Sequence, residues 1–76
     1  MNFSEEQIIK LINYYYSCDN PTGGNLHIIL DDHNFDPNSF IFCRNLCRKD
    51  KDHLGLLLID ILSGMSEREL KSLLLL

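Results

Sequence analysis

The sequence predicts an all-α fold, a small single-domain bundle of four to five short helices over residues 1–76. Helix-start signals recur at three places, and apolar residues between them follow 3.6-residue spacing. The only stretch that alternates like a strand has no second strand to pair with.

In the first helix, Ser4 is placed to cap, Gln7 completes a capping box, and Phe3 can staple to Ile8. Ile8, Leu11, Ile12, Tyr15 and Tyr16 then form one apolar stripe, opposite Glu6, Lys10, Asn13 and Ser17. Tyr14 falls off that stripe. Asp19 to Gly24 is loop chemistry throughout, after which Leu26, Ile28 and Leu30 alternate while Leu26, Ile29 and Leu30 fit a helical turn. The absence of a strand partner favours a short helix from about Asn25 to Asp32, with Asn34 suited to a left-handed exit. Asp36 before Pro37 starts the next helix, with Phe35 and Phe40 at staple positions. Phe40, Cys43, Leu46 and Cys47 share its inner stripe, which leaves Ile41, Arg44, Asn45 and Arg48 outward. Leu54, Leu57, Leu58, Ile61, Leu62 and Met65 make the widest stripe, extended by Leu56 and Ile59, so this helix should be central. Gly64 ends it, and Ser66 with Glu69 boxes the last helix.

A chain of 76 residues buries only about 60% of its unfolded surface, so its stability needs every local contribution. Three cysteines are an odd number, Met1 to Ser4 do not read as a leader, and no apolar run approaches the roughly 18 residues of a membrane span. A reducing cytoplasm is the expected location. A net charge of −4 argues against a general nucleic-acid binder. The charge is uneven, with Arg44, Arg48, Lys49 and Lys51 as the one basic cluster and an acidic first half.

Residue chemistry adds little toward catalysis. Cys43 and Cys47 stand four apart on one helix and could supply two legs of a zinc site with His53, His33, His27 or Cys18. Their place on the stripe with Phe40 and Leu46 favours core packing, and no metal or other cofactor is expected. His27 and Asp31 stand at i, i+4, but no nucleophile turn or phosphate loop accompanies them. The simpler role is that His27 bonds Asp31 or the glycine loop and fixes the loop-to-helix geometry. A small DNA-binding regulator using the Arg44–Arg48 helix is an alternative, which the acidic remainder of the chain opposes.

The run Gly23-Gly24-Asn25-Leu26-His27-Ile28-Ile29-Leu30-Asp31-Asp32-His33-Asn34, followed by Phe42-Cys43 and a leucine-rich helix closing in Met65-Ser66, resembles a group of small phage and prophage proteins. Their pattern runs approximately G-G-x-L-H-x-x-L-D-D-G-N, then F-C or W-C on a helix. His33 departs from the glycine usual there, and the C-terminal leucine run is longer. The resemblance covers most of the chain after Tyr16. It implies a phage-borne setting, and by analogy with other small, acidic helical proteins of that setting the expected role is a non-enzymatic inhibitor of a host defence system, an anti-CRISPR protein that binds a Cas effector stoichiometrically.

For such a binder the candidate contacts are Tyr14, Ile41, Arg44 and Arg48, since exposed aromatics, aliphatics and arginines anchor interfaces. Asp31, Asp32 and Asp36 form a second candidate patch, able to meet a basic groove in place of phosphates. A homodimer is the structural alternative, a self-associating helical protein joined through Leu56 and Ile59 with help from Leu73 to Leu76.

Overall fold

Three of the helix starts rest on sequence-local hydrogen bonds, and each is present in the computed structural model, which describes residues 3–75. Ser4 Oγ accepts from the Gln7 amide at 3.1 Å while Gln7 Oε1 accepts from the Ser4 amide at 2.9 Å, opening α1, Glu5–Ser17. A 3₁₀ turn, Gly24–Leu26, leads straight into the one-turn helix α2, His27–Leu30. Asp36 Oδ1 accepts from the Ser39 amide at 2.7 Å and opens α3, Pro37–Lys49. Helix α4 spans His53–Ser63, and the Ser66–Glu69 box, both bonds at 3.1 Å, opens α5, Glu67–Leu74. The fold is therefore a bundle of five short helices. Each staple pair, Phe3 with Ile8, Phe35 with Phe40 and Met65 with Leu70, lines a common surface groove.

Helices α3 and α4 form the principal pair, with α1 laid on α4 and the 3₁₀ turn and α2 laid on α3. The pair is antiparallel, since Gly55 lies against Cys47 while Asp60 reaches back to Arg44. Between these helices Lys51 adopts a left-handed φ of 54°, and the Asp52 amide returns to the Cys47 carbonyl at 2.8 Å. That turn delivers Asp52 to the first turn of α4, where its Oδ1 accepts the Gly55 amide at 3.0 Å. One residue thus closes α3 and caps α4.

The core draws on all five helices: Ile8, Ile12 and Tyr15, then Leu26, Ile29 and Leu30, Cys43 and Cys47, Leu58, Ile59 and Leu62, and last Leu70 and Leu73. The stripe expected on α4 is corrected by about one residue's rotation. Gly55, Leu58, Ile59 and Leu62 face inward, whereas Leu57 is exposed and Leu56 half-buried. From Leu54 to Leu58 only Gly55 breaks the run of leucines, so periodicity has little contrast to read. Ile59 is 0% exposed and cannot serve as a dimer contact, and Leu73 is likewise core. Leu75 is exposed, and Leu76, the end of the leucine run, lies outside the described residues, as do Met1 and Asn2. The left-handed exit from α2 is at His33, φ 55°, rather than at Asn34. The His33 ring stacks on Phe35 at 5.6 Å, and the Asn34 amide returns to the Ile28 carbonyl at 3.0 Å.

Gly55 yields a test with an unusual sign. A Gly→Ala change inside a helix normally stabilises by up to about 1 kcal/mol. Here a Cβ would overlap Asp52 Oδ2 and come within 2.7 Å of Cys47 Sγ. Gly55→Ala should therefore lower the thermal midpoint, and a raised midpoint would disprove the close approach of α3 and α4 at this point.

Candidate functional site

Two places combine polar chemistry with defined geometry, one interior and one on the surface. The interior one surrounds Asp52. Its Oδ2 accepts from the Tyr15 hydroxyl at 2.5 Å, from Asn25 Nδ2 at 3.3 Å and from Cys47 Sγ at 3.8 Å, while Tyr15 Oη accepts the Asn25 amide at 3.1 Å. Gly24 must stand against this cluster with φ 52°, because a Cβ there would meet Asn20 at 2.7 Å and Tyr15 Oη at 2.9 Å. Burial, reinforced by the Asp52 charge and hydrogen bond, pushes the Cys47 thiol up to about 12. Burial first and the bond to Asp52 second also raise Tyr15 well above its ordinary value. Cys47 is 0% exposed, so this thiol stays protonated and unreachable by a substrate. The cluster holds four segments of chain together.

The surface place is the outer face of α3. With Phe40, Cys43, Leu46 and Cys47 turned inward, the 100° step of the helix places Asn45 at the centre of the opposite face. Ile41 and Phe42 stand at i−4 and i−3 from Asn45, Arg48 and Lys49 at i+3 and i+4. All five are exposed, Ile41 at 56% and Phe42 at 50%. An apolar pair and a basic pair thus flank Asn45, one turn to either side. Ile41 also borders a groove of about 300 Å³ whose other apolar walls include Phe35, Phe40, Met65 and Leu70.

The residues expected to make contacts fall in separate places. Ile41 and Arg48 share the α3 face. Arg44, expected beside them, is instead half-buried and turned toward α4, with Nη2 3.0 Å from Asp60 Oδ1. Tyr14 is 61% exposed on α1, whose main contact is with α4. The three aspartates are divided: Asp31 accepts the Tyr16 hydroxyl at 2.5 Å, Asp36 caps α3, and Asp32 is exposed. Phe42, outside the expected set, is legible as an outward residue from the same spacing that turns Cys43 inward. His27 Nδ1 lies 3.1 Å from the Gly24 carbonyl, the glycine-loop role expected of it. Among the described residues no three His, Cys, Asp or Glu side chains are grouped to hold a metal ion, and no helix is long and apolar enough to cross a membrane.

No protein-family model, curated protein or solved structure matches the chain. The phage-protein, anti-CRISPR and inhibitor designations drawn from the motif in residues 23–34 therefore have no relative behind them, and they are corrected to the description the structure supports, an all-α helical bundle.

The buried Cys47 thiol and the hydrogen-bonded hydroxyls of Tyr15 and Tyr16 fix a pH dependence. Cys47, Tyr15 and Tyr16 all hold their protons more tightly folded than unfolded, from ordinary values of 9.0 for the cysteine and 10.0 for the tyrosines. Their contribution is complete below those unfolded values and is lost progressively as pH rises from them toward the higher folded ones. The urea midpoint should be level from about pH 7 to 8 and fall progressively above about 9, with Tyr15→Phe shallower above 10. A midpoint unchanged to about pH 11 would contradict the assigned shifts.

Proposed function

We propose that this chain is a non-catalytic protein-binding domain and that its contact surface is the outer face of α3. The supporting observation is the adjacent exposure of Ile41 and Phe42 beside a groove that Ile41 shares. Isolated exposed apolar side chains are ordinary, but an exposed aliphatic and an exposed aromatic at successive positions, with Arg48 on the same face, bring together apolar surface with the aromatic and arginine types that interfaces enrich, and Lys49 suits the polar rim. The interior chemistry supports the same reading from the other direction. Its thiol and its Tyr15 hydroxyl are enclosed, and its carboxylate is engaged by four donors.

A protein partner is favoured over DNA because Arg44 is engaged by Asp60, which leaves the α3 face one arginine short of the set a DNA-reading helix would use. The three free thiols of Cys18, Cys43 and Cys47 support a reducing compartment such as the cytoplasm as its working location.

A photo-crosslinking amino acid at position 42, introduced in cells that make the protein, tests this reading. It should give a discrete crosslinked species that a crosslinker at the exposed Ser72 of α5 does not. Ile41→Asp should reduce that species on the order of 30-fold, the scale of an interface hot spot, while circular dichroism stays unchanged. A species of twice the chain's mass would assign the face to a second copy, the self-associating alternative. No product specific to position 42 would remove the reading.

A further inference from the structure

The outer face of α3 differs electrostatically from everything around it. Residues 37–51 carry four cations, Arg44, Arg48, Lys49 and Lys51, against the single carboxylate of Asp50, a net +3. The rest of the chain carries three cations against ten carboxylates, a net −7, which accounts for the overall −4. Asp60 takes up Arg44 at 3.0 Å. The exposed positive charge of the α3 face is thus concentrated at Arg48 and Lys49, beyond Asn45 from the apolar pair.

Resting on the reading of this face as a protein-binding surface, we propose that its partner is an acidic protein segment. A large apolar side chain of that segment packs at Ile41 and Phe42, and its carboxylates meet Arg48 and Lys49. Helix rise sets the spacing between the two contacts. Seven residues separate Ile41 from Arg48, which is about 10 Å along the axis. A partner helix spans that distance in about seven residues and an extended partner in about three. Asn45, midway, has both a donor and an acceptor for polar atoms between the two anchors. The −7 remainder repels an acidic partner from the other faces, so the field of the whole molecule directs it here. Nucleic acid fits the same face poorly. Two cations one turn beyond an exposed isoleucine and phenylalanine neutralise few phosphates and leave the apolar pair against a charged backbone.

Panning a displayed library of random peptides about 16 residues long on the intact chain tests the proposal, because a helix of that length spans both anchors. Two folded double variants serve as counter-selections, Ile41→Asp with Phe42→Asp and Arg48→Glu with Lys49→Glu. Recovered peptides should be acidic, with a large apolar residue three or seven positions from a pair of carboxylates. Each variant should weaken them tenfold or more, and binding should decline as salt rises from about 0.05 to 0.5 M. Neutral or basic peptides that still need Ile41 and Phe42 would overturn the acidic partner and leave the protein-binding surface standing. Peptides indifferent to both variants, or none recovered, would overturn both. Tight binding of a duplex DNA oligonucleotide that Arg48→Glu with Lys49→Glu abolishes would transfer the face to nucleic acid.

Discussion

The carboxylate of Asp52 is the constraint on which the rest of the fold depends. Four donors converge on it, from Tyr15 in α1, Asn25 in the 3₁₀ turn, Cys47 in α3 and Gly55 in α4. No other side chain in the network joins as many elements. A carboxylate suits the position because it stands at the amino end of α4, where the helix dipole and the free amides favour negative charge. It also explains two glycines. Gly55 leaves room for the carboxylate and the Cys47 sulfur, and Gly24 lets the loop come up against the Tyr15 hydroxyl. The left-handed Lys51 aims the side chain inward by ending α3 abruptly.

With that network in place, the remaining interior needs only apolar packing. No polar or charged residue is fully buried among the described residues, and the buried side-chain nitrogen and oxygen atoms described all have partners. The helices differ in how firmly they are held. Helix α4 has Leu58, Ile59 and Leu62 fully enclosed, while α5 is anchored chiefly by Leu70 and Leu73. Helix α3 divides its two sides between separate tasks. Its inner side supplies Cys43 and Cys47 to the core, and its outer side carries Ile41, Phe42, Arg48 and Lys49, all exposed.

What the sequence discloses about this fold is what local physics controls. Ser4 with Gln7, Asp36 with Pro37 and Ser66 with Glu69 each act within one turn, so their helix starts were readable from neighbours alone. Asp52 has no glutamate or glutamine at the matching position, and its principal partner, Tyr15, is 37 residues away. Nothing local links the two. Spacing does not give the inward side of α4, because Leu54, Leu56, Leu57 and Leu58 are alike in hydropathy and the choice among them is made by Cys47 and Asp52 pressing on Gly55. Arg44 was placed outward by spacing, but its long side chain reaches round to Asp60 on a helix the periodicity does not see. Ile41, Arg48 and Tyr14 need only their own helix to be read as outward, and all three are exposed.

Amide hydrogen exchange at Asn25 tests the organising role of the Asp52 network most directly. The Asn25 amide sits in a loop-proximal 3₁₀ turn and has no carbonyl acceptor there, yet it donates to the Tyr15 hydroxyl that Asp52 holds. If the network locks the fold, Asn25 should exchange about as slowly as the amides of Leu58 and Ile59, because it opens only with the core. Exchange at the rate of the exposed loop residues Asp19 and Thr22 would show that the network opens independently, and the account of what holds the helices together would be wrong.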